Sequence, residues 1–207
     1  MDNYDNTKIS INAVIFSINN NELKIFLEKR EKDPFLGLLE LPGGLIKNNE
    51  TAEDTLRRKI SDILGINNSF YQQFFTFIKT DRDPRERIIS IGFLTLVNSN
   101  SLANNSHSNN WFNINDLDKH NAAFDHKDII IKAKQYLKNN INHSLIKNFM
   151  PDKFPLNDLQ KVYEIIEEKK YDNRNFRKKM IISGIVSDCK EKEKSVSHRP
   201  ATLYKFN

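Results

Sequence analysis

The chain has 207 residues, 38% hydrophobic and 29% charged, which suits one or two folded domains and is too apolar for a wholly disordered protein. No stretch approaches the roughly 18 apolar residues that a membrane span needs. The opening residues, Met1 to Asp5, are too polar and acidic for a signal peptide, and a lone cysteine, Cys189, excludes an internal disulfide. A cytoplasmic protein with no membrane partner is the expectation. The net charge of +5 is uneven: residues 1–150 hold 19 Lys/Arg against 18 Asp/Glu, and residues 151–207 hold 13 against 9. A short basic module, of the kind that meets nucleic acid, follows a near-neutral one.

In chain order, Ile9 to Ile18 and Leu23 to Arg30 alternate as strands and pair across the Asn19-Asn20-Asn21 turn. Pro34 and Gly37 mark a loop. Leu41-Pro42-Gly43-Gly44 is a second break, where Gly43 and Gly44 allow a sharp turn and a close approach to a ligand. Thr51 to Leu64 reads as a helix, because Leu56, Ile60, Ile63 and Leu64 fall on one face and Gly65 provides the stop. Strands are predicted at Phe70 to Thr80 and Arg87 to Val97. The charged turn between them brings three arginines, Arg82, Arg85 and Arg87, close together, as forks that could grip phosphate. Asn98 to Asn110 reads as a surface loop, order resumes at Trp111-Phe112, and Asp128 to Leu137 is a helix. His107, His120, His126 and His143 lack metal-ligand spacing and are expected to be ordinary surface or packing residues.

Asn139 to Asn142 is read as a linker, giving domains at 1–138 and 143–207. Three helices follow, at Ser144 to Phe149, Asn157 to Glu168 and Asn173 to Ser183. Two short apolar stretches then flank the charged, turn-like run Lys190 to Lys194. Three helices and a hairpin with a charged tip is the plan of a winged helix-turn-helix. On the third helix, Arg174, Arg177 and Lys178 are neighbours facing outward. Asn175 and the arginines suit base edges, and the rest of the basic side suits phosphate. Arg199 is expected at the base of the wing, and Cys189 lies on the wing with no evident chemistry.

The run from Gly44 through Glu50, Arg58, Ile60 and Gly65 to Ile66 resembles a Nudix box. The resemblance implies an α/β fold, an N-terminal Nudix-like α/β/α sandwich followed by the winged helix-turn-helix. It also implies three Mg²⁺-binding carboxylates at positions 59, 62 and 63, on one helix face. Here those positions are Lys59, Asp62 and Ile63. No metal or other cofactor and no catalytic residue is therefore expected. Lys59 is read as a point charge for a diphosphate that is bound and not cut, with Glu50 and Arg58 kept as a structural ion pair.

Together with Asp81-Arg82-Asp83-Pro84-Arg85, the Asn173 to Met180 helix and the Arg199-Pro200-Ala201-Thr202-Leu203-Tyr204 ending, the box resembles the Nudix-related transcriptional regulators of NAD metabolism. The family often has Gly where this chain has His198. The resemblance implies a homodimeric repressor that binds ADP-ribose or a related nucleotide through Gly43, Gly44, Lys59, Asp62, Arg82 and Arg85. It also implies double-stranded operator DNA of NAD-metabolism genes as a partner, bound through Arg174, Asn175, Arg177, Lys178 and Arg199. The alternatives are an active Nudix pyrophosphatase acting on ADP-ribose and a sugar-sensing repressor of the same architecture. The switch is expected to act through the spacing of two recognition helices, transmitted by Asn139 to Asn142.

Overall fold

The strand β1 (Lys8–Asn19) is apolar on both faces, and this decides the architecture. Ile11, Ala13 and Ile15 point one way and Val14 and Phe16 the other, so both faces of the sheet around β1 must be covered. A computed structural model describes residues 6–67, 69–102, 108–194 and 199–207; the opening Met1 to Asp5, His107 and His198 lie outside the described residues.

The element order of the first domain is β1, β2 (Glu22–Phe26), β3 (Glu28–Lys29), β4 (Leu39–Glu40), β5 (Gly43–Leu45), α1 (Ala52–Leu64), β6 (Phe70–Phe77), β7 (Ile88–Val97), β8 (Trp111–Asn113) and α2 (His126–Asn139). The main sheet runs β6-β7-β1-β2-β8, with β5 also paired to β1, and β3 and β4 form a separate two-stranded piece. β1 and β7 are parallel, and β2, β5 and β8 pair antiparallel. Leu56, Ile60 and Leu64 of α1 cover the Ile11-Ala13-Ile15 face. Ile129, Ile130, Ala133 and Leu137 of α2 cover the Val14-Phe16 face.

α1 starts with a capping box. Thr51 accepts from the Asp54 backbone N–H, Asp54 accepts from the Thr51 backbone N–H, and Gly65 ends the helix at φ 66 in the left-handed region. The predicted strand from Leu23 to Arg30 is in fact broken at Leu27, whose N–H turns to Asn110 O at 2.9 Å. Asn98 to Asn110 is not simply loop, because 3-10 turns form at Ser99–Leu102 and Ser108–Asn110.

The second domain comprises α3 (His143–Ile146), β9 (Phe154–Pro155), α4 (Leu156–Glu167), α5 (Asn173–Ile182), β10 (Val186–Lys192) and β11 (Thr202–Phe206). A small sheet in the order β10-β11-β9 holds the wing to the strand before α4. Two expectations need correcting here. The charged run from Lys190 is not the tip of the hairpin: β10 continues through Lys192, with a register shift after Asp188 and Lys190 at φ 55, and the hairpin extends to the Glu193 N–H bond with Ala201 O. The Asn139 to Asn142 segment is hardly a free linker. α2 runs through Asn139, Asn142 caps α3 by accepting from Leu145 N–H, and Ile141 packs on the core. That core is continuous between the domains, joining Leu94, Leu96 and Leu137 to Leu145, Ile146, Phe149 and Leu159.

Candidate functional site

A cavity of about 330 Å³ opens where β1, the β3–β4 piece, β5, α1 and the loop after β6 converge, and Gly43 and Gly44, expected at a sharp turn, are instead the first residues of β5. That size is in the range of small-ligand sites. Gly43 lies against β1 so tightly that a β-carbon there would come 2.3 Å from Ile11 O. Gly43 therefore serves close strand packing. Gly44, at φ +150, lies under Lys59: a β-carbon on it would be 3.5 Å from Lys59 Cε. Among the described residues no ion pair engages the Lys59 ammonium, although it lines the cavity.

Glu50 and Arg58 form a two-pronged pair at 2.8 and 2.7 Å. Glu50 also accepts from Thr55 Oγ at 2.9 Å. The Arg58 hydrogen bonds bring the Glu50 carboxyl down to about 2, against the opposing effect of burial. This closes the loop before α1 onto the helix. Of the three positions at which a Nudix box carries metal ligands, Lys59 holds a positive charge, Asp62 is exposed and off the cavity, and Ile63 is a partly buried apolar residue packed against the core beneath α1. These residues do not fit a divalent cation, which takes converging hard oxygens. Among the described residues no three His, Cys, Asp or Glu gather as such a site.

The loop after β6 is not a solvated charged turn, because Arg82 and Asp83 are buried. Arg82 meets Asp125 through Nε at 3.0 Å and Nη2 at 2.7 Å. Arg85 meets Asp83 through Nε at 2.9 Å and Nη2 at 2.7 Å. Both forks are thus engaged inside the protein, although both residues line the cavity. The structure brings Gly43, Gly44, Lys59, Arg82 and Arg85 together there and leaves Asp62 outside.

Sequence reasoning missed His126. It lies on the cavity wall, 5% exposed, because α2 begins at His126 and not at Asp128. Leu41 N–H donates to His126 Nδ1 at 3.0 Å, and Nε2 is 3.1 Å from the Asn12 side-chain amide. A neutral imidazole has one proton, which must then be on Nε2, opposite the Asn12 amide. Ser90 Oγ donates to Asn12 Oδ1 at 2.5 Å. Burial, with the nearby Arg82 and Arg30 charges, pulls this histidine down to about 3, Asp83 opposing. Asp125 stands at the cap of α2, but its side chain makes no cap bond because Arg82 holds it.

Also unforeseen is a ring of side chains about Phe124. The Arg30 guanidinium carbon lies 4.7 Å from the Phe124 ring centroid and that of Arg85 lies at 5.5 Å. Phe35 meets the ring edge-on at 4.8 Å, and the His126 ring is 5.4 Å away. Phe124 and Phe35 both have positive φ, 52 and 70, a rare state for a bulky residue. No periodicity in the sequence marks these positions, since they sit in loops.

In the second domain, Phe176 and Met180 anchor α5 to the core, and Asp172 caps it by accepting from Asn175 N–H. Arg174, Asn175 and Lys178 are exposed, and Arg177 is half-buried. Among the described residues no carboxylate pairs with Arg174, Arg177 or Lys178. Asn173 turns inward instead, to Asn157 at 2.9 Å and Gln160 at 3.2 Å on α4. Glu164 fixes the α4–α5 turn by accepting from Gln160, Lys170 and Tyr171 N–H. Arg199 is exposed beside the wing. No described helix is long and apolar enough to cross a membrane. Cys189 is partly buried on β10. His120 stacks edge-on with Phe112 at 5.0 Å, and His143 opens α3.

Residues 8–133 match the NUDIX domain and residues 146–206 match the NrtR DNA-binding winged helix domain. The chain is 29% identical to the ADPR responsive transcriptional repressor NtrR of Acinetobacter baylyi, over 98% of this chain and 83% of that one. It is 35% identical to an ADP-ribose pyrophosphatase of Methanocaldococcus jannaschii, over 56% of this chain and 66% of that one. Shewanella oneidensis NrtR, solved with a 27mer DNA, superposes with a TM-score of 0.85 at 26% identity, covering 96% of this chain and 93% of that one. The NUDIX domain of the same protein, solved with ADP ribose, superposes with a TM-score of 0.57 at 28% identity, covering 65% of this chain and 90% of that one.

Proposed function

We propose that this chain, which belongs to the NUDIX family and carries an NrtR-type winged helix behind it, is a cytoplasmic transcriptional repressor that responds to ADP-ribose. The observation that carries the reading is the likeness to S. oneidensis NrtR, a DNA-bound structure, through both domains. The chain's own residues support it at each end. The cavity offers Lys59 to a diphosphate over Gly44 of β5. The α5 face offers Arg174, Arg177 and Lys178, with which no carboxylate pairs among the described residues.

The sensor and the reader are linked through α2. Its first turn holds Asp125 and His126 against the cavity wall, and its last turns place Lys134 and Lys138 on Glu168, at the end of α4, at 2.8 and 2.7 Å. A ligand shifts DNA affinity only by the difference in its affinity for the two arrangements. The reader works as a dimer in this reading, because two-fold symmetry matches two operator half-sites.

A hydrolase reading, to which the M. jannaschii relative points, lacks support at Lys59 and Ile63. A neutral-sugar sensor has no use for the Lys59 ammonium in the cavity. The test is operator binding across a salt series, with a duplex selected by the protein itself, in the presence and absence of ADP-ribose. Specific binding above the salt-sensitive background is expected. ADP-ribose should change its affinity by roughly 5- to 150-fold. Binding that is indifferent to sequence, or to ADP-ribose, overturns the reading.

A further inference from the structure

Arg85 is half exposed, 48% of its side chain facing solvent, while Asp83 beneath it is buried. Both donors on one side of its guanidinium, Nε and Nη2, are taken by Asp83, and its backbone N–H donates to the same carboxylate at 3.0 Å. A guanidinium fixed this way is held in one orientation, with its flat face and the Nη1 edge left to solvent. The Arg85 guanidinium carbon lies 5.5 Å from the Phe124 ring centroid, and Arg30, Phe35 and His126 also gather round that partly exposed ring. Arg30 is in turn consumed by Glu40 at 2.6 Å and Pro34 O at 2.5 Å.

Two phenylalanines in left-handed backbone, Phe124 on the cavity wall and Phe35 edge-on against it, is a costly arrangement of the kind that the surrounding structure must enforce. Its product is a stiff stack whose outermost layer is the Arg85 plane. At another point of the same cavity, Lys59 stands over Gly44 as a point charge that no ion pair engages among the described residues.

We propose that the Arg85–Phe124 stack is the seat of the ligand's nucleobase, with Arg85 acting as a stacking plane, while the diphosphate goes to Lys59. This rests on the ligand reading above and deepens it, since it assigns separate residues to base and phosphate. Guanidinium planes stack on nucleobases and aromatic rings, which a lysine ammonium cannot imitate. The site thereby recognises an aromatic nucleoside diphosphate over a sugar phosphate of equal charge.

The test uses the full chain with ADP-ribose, its fluorescent 1,N6-etheno derivative, and ribose 5-phosphate as a base-free probe. Arg85→Lys keeps the charge and removes the plane. It should weaken ADP-ribose by roughly 5- to 150-fold, the range that stacking of one base spans, and leave ribose 5-phosphate within about twofold. Lys59→Met should weaken both. Etheno fluorescence should be quenched on binding to the wild type, and the quench should be lost in Arg85→Lys measured at saturating ligand. Phe124→Leu, which keeps an apolar filler under Arg85, should act in the same direction. If Arg85→Lys weakens both ligands equally, or keeps the full quench, the stacking assignment is wrong and the receptor reading stands. If the wild type binds no ADP-ribose, the receptor reading falls and this one with it.

Discussion

Arg82 and Asp125 meet through two parallel hydrogen bonds, at 3.0 and 2.7 Å, and so tie the loop after β6 to the first turn of α2. Both side chains are nearly buried, 5% and 11% exposed. Removing one partner of such a pair strands the other charge, at a cost of about 3–5 kcal/mol. Arg82→Met should therefore lower the unfolding midpoint by many degrees. The double change Arg82→Met with Asp125→Leu should recover much of that loss, which thermal denaturation of the single and double variants measures. A loss from Arg82→Met no larger than that of an average surface change contradicts the brace.

His126 makes stability depend on acidity. Its folded value of about 3 lies below the ordinary 6.5, so the unfolded chain binds a proton that the folded chain refuses. Stability is then complete above about pH 6.5 and falls as the pH drops towards 3. The full shift corresponds to at most about 5 kcal/mol. Melting of wild type and His126→Gln between pH 4 and 7 should show a slope in the wild type that flattens in the variant. Nitrogen NMR of the wild type should find the proton on Nε2.

The loss of metal chemistry can be tested in reverse. Wild type with Mg²⁺ or Mn²⁺ should leave ADP-ribose intact at ordinary enzyme timescales. Lys59→Glu with Ile63→Glu puts back the two missing carboxylates of the Nudix spacing, one helical turn apart, and should produce metal-dependent cleavage. Product release assayed with and without chelator checks both statements, and turnover by the wild type would refute the receptor assignment.

Glu168 stands at φ 57 at the end of α4 and receives two lysines from α2. These charges pull its carboxyl down to about 2. The pairs are partly exposed, so each is worth only about 0–1 kcal/mol. Glu168→Gln should thus change overall stability little. It should instead reduce the factor by which ADP-ribose shifts operator affinity, while either ligand alone binds near normally. An unchanged factor removes Lys134, Lys138 and Glu168 from the path.

Much of the fold was legible because its signals are local. The alternation of β1, the one-sided apolar face of α1 and the glycine at 65 each act within a few residues. The Nudix-like spacing from Gly44 to Ile66 marked the helix and its Glu50–Arg58 clasp in the same way. The cavity was only half legible. Arg82 and Arg85 read as free forks because their partners, Asp125 and Asp83, are chosen by tertiary contact, and nothing at 82 announces a residue 43 positions on. His126 read as ordinary because the apolar period of α2 begins after it. Phe35 and Phe124 sit in loops, where no period exists to mark them. On the reader side, the inward turn of Asn173 depends on Asn157 and Gln160 of another helix, which spacing within α5 does not show.

The shared apolar interior of the two domains restricts how such a protein can be remodelled. Leu145, Ile146 and Phe149 rest on the same mass of side chains as Leu94, Leu96 and Leu137. A chimaera joined behind Asn139 would therefore leave a greasy wall on the donor half and a matching hole in the acceptor. New operators or new signals must be acquired by exchanging single residues at the two outer faces, since the reader and the sensor do not separate as cassettes.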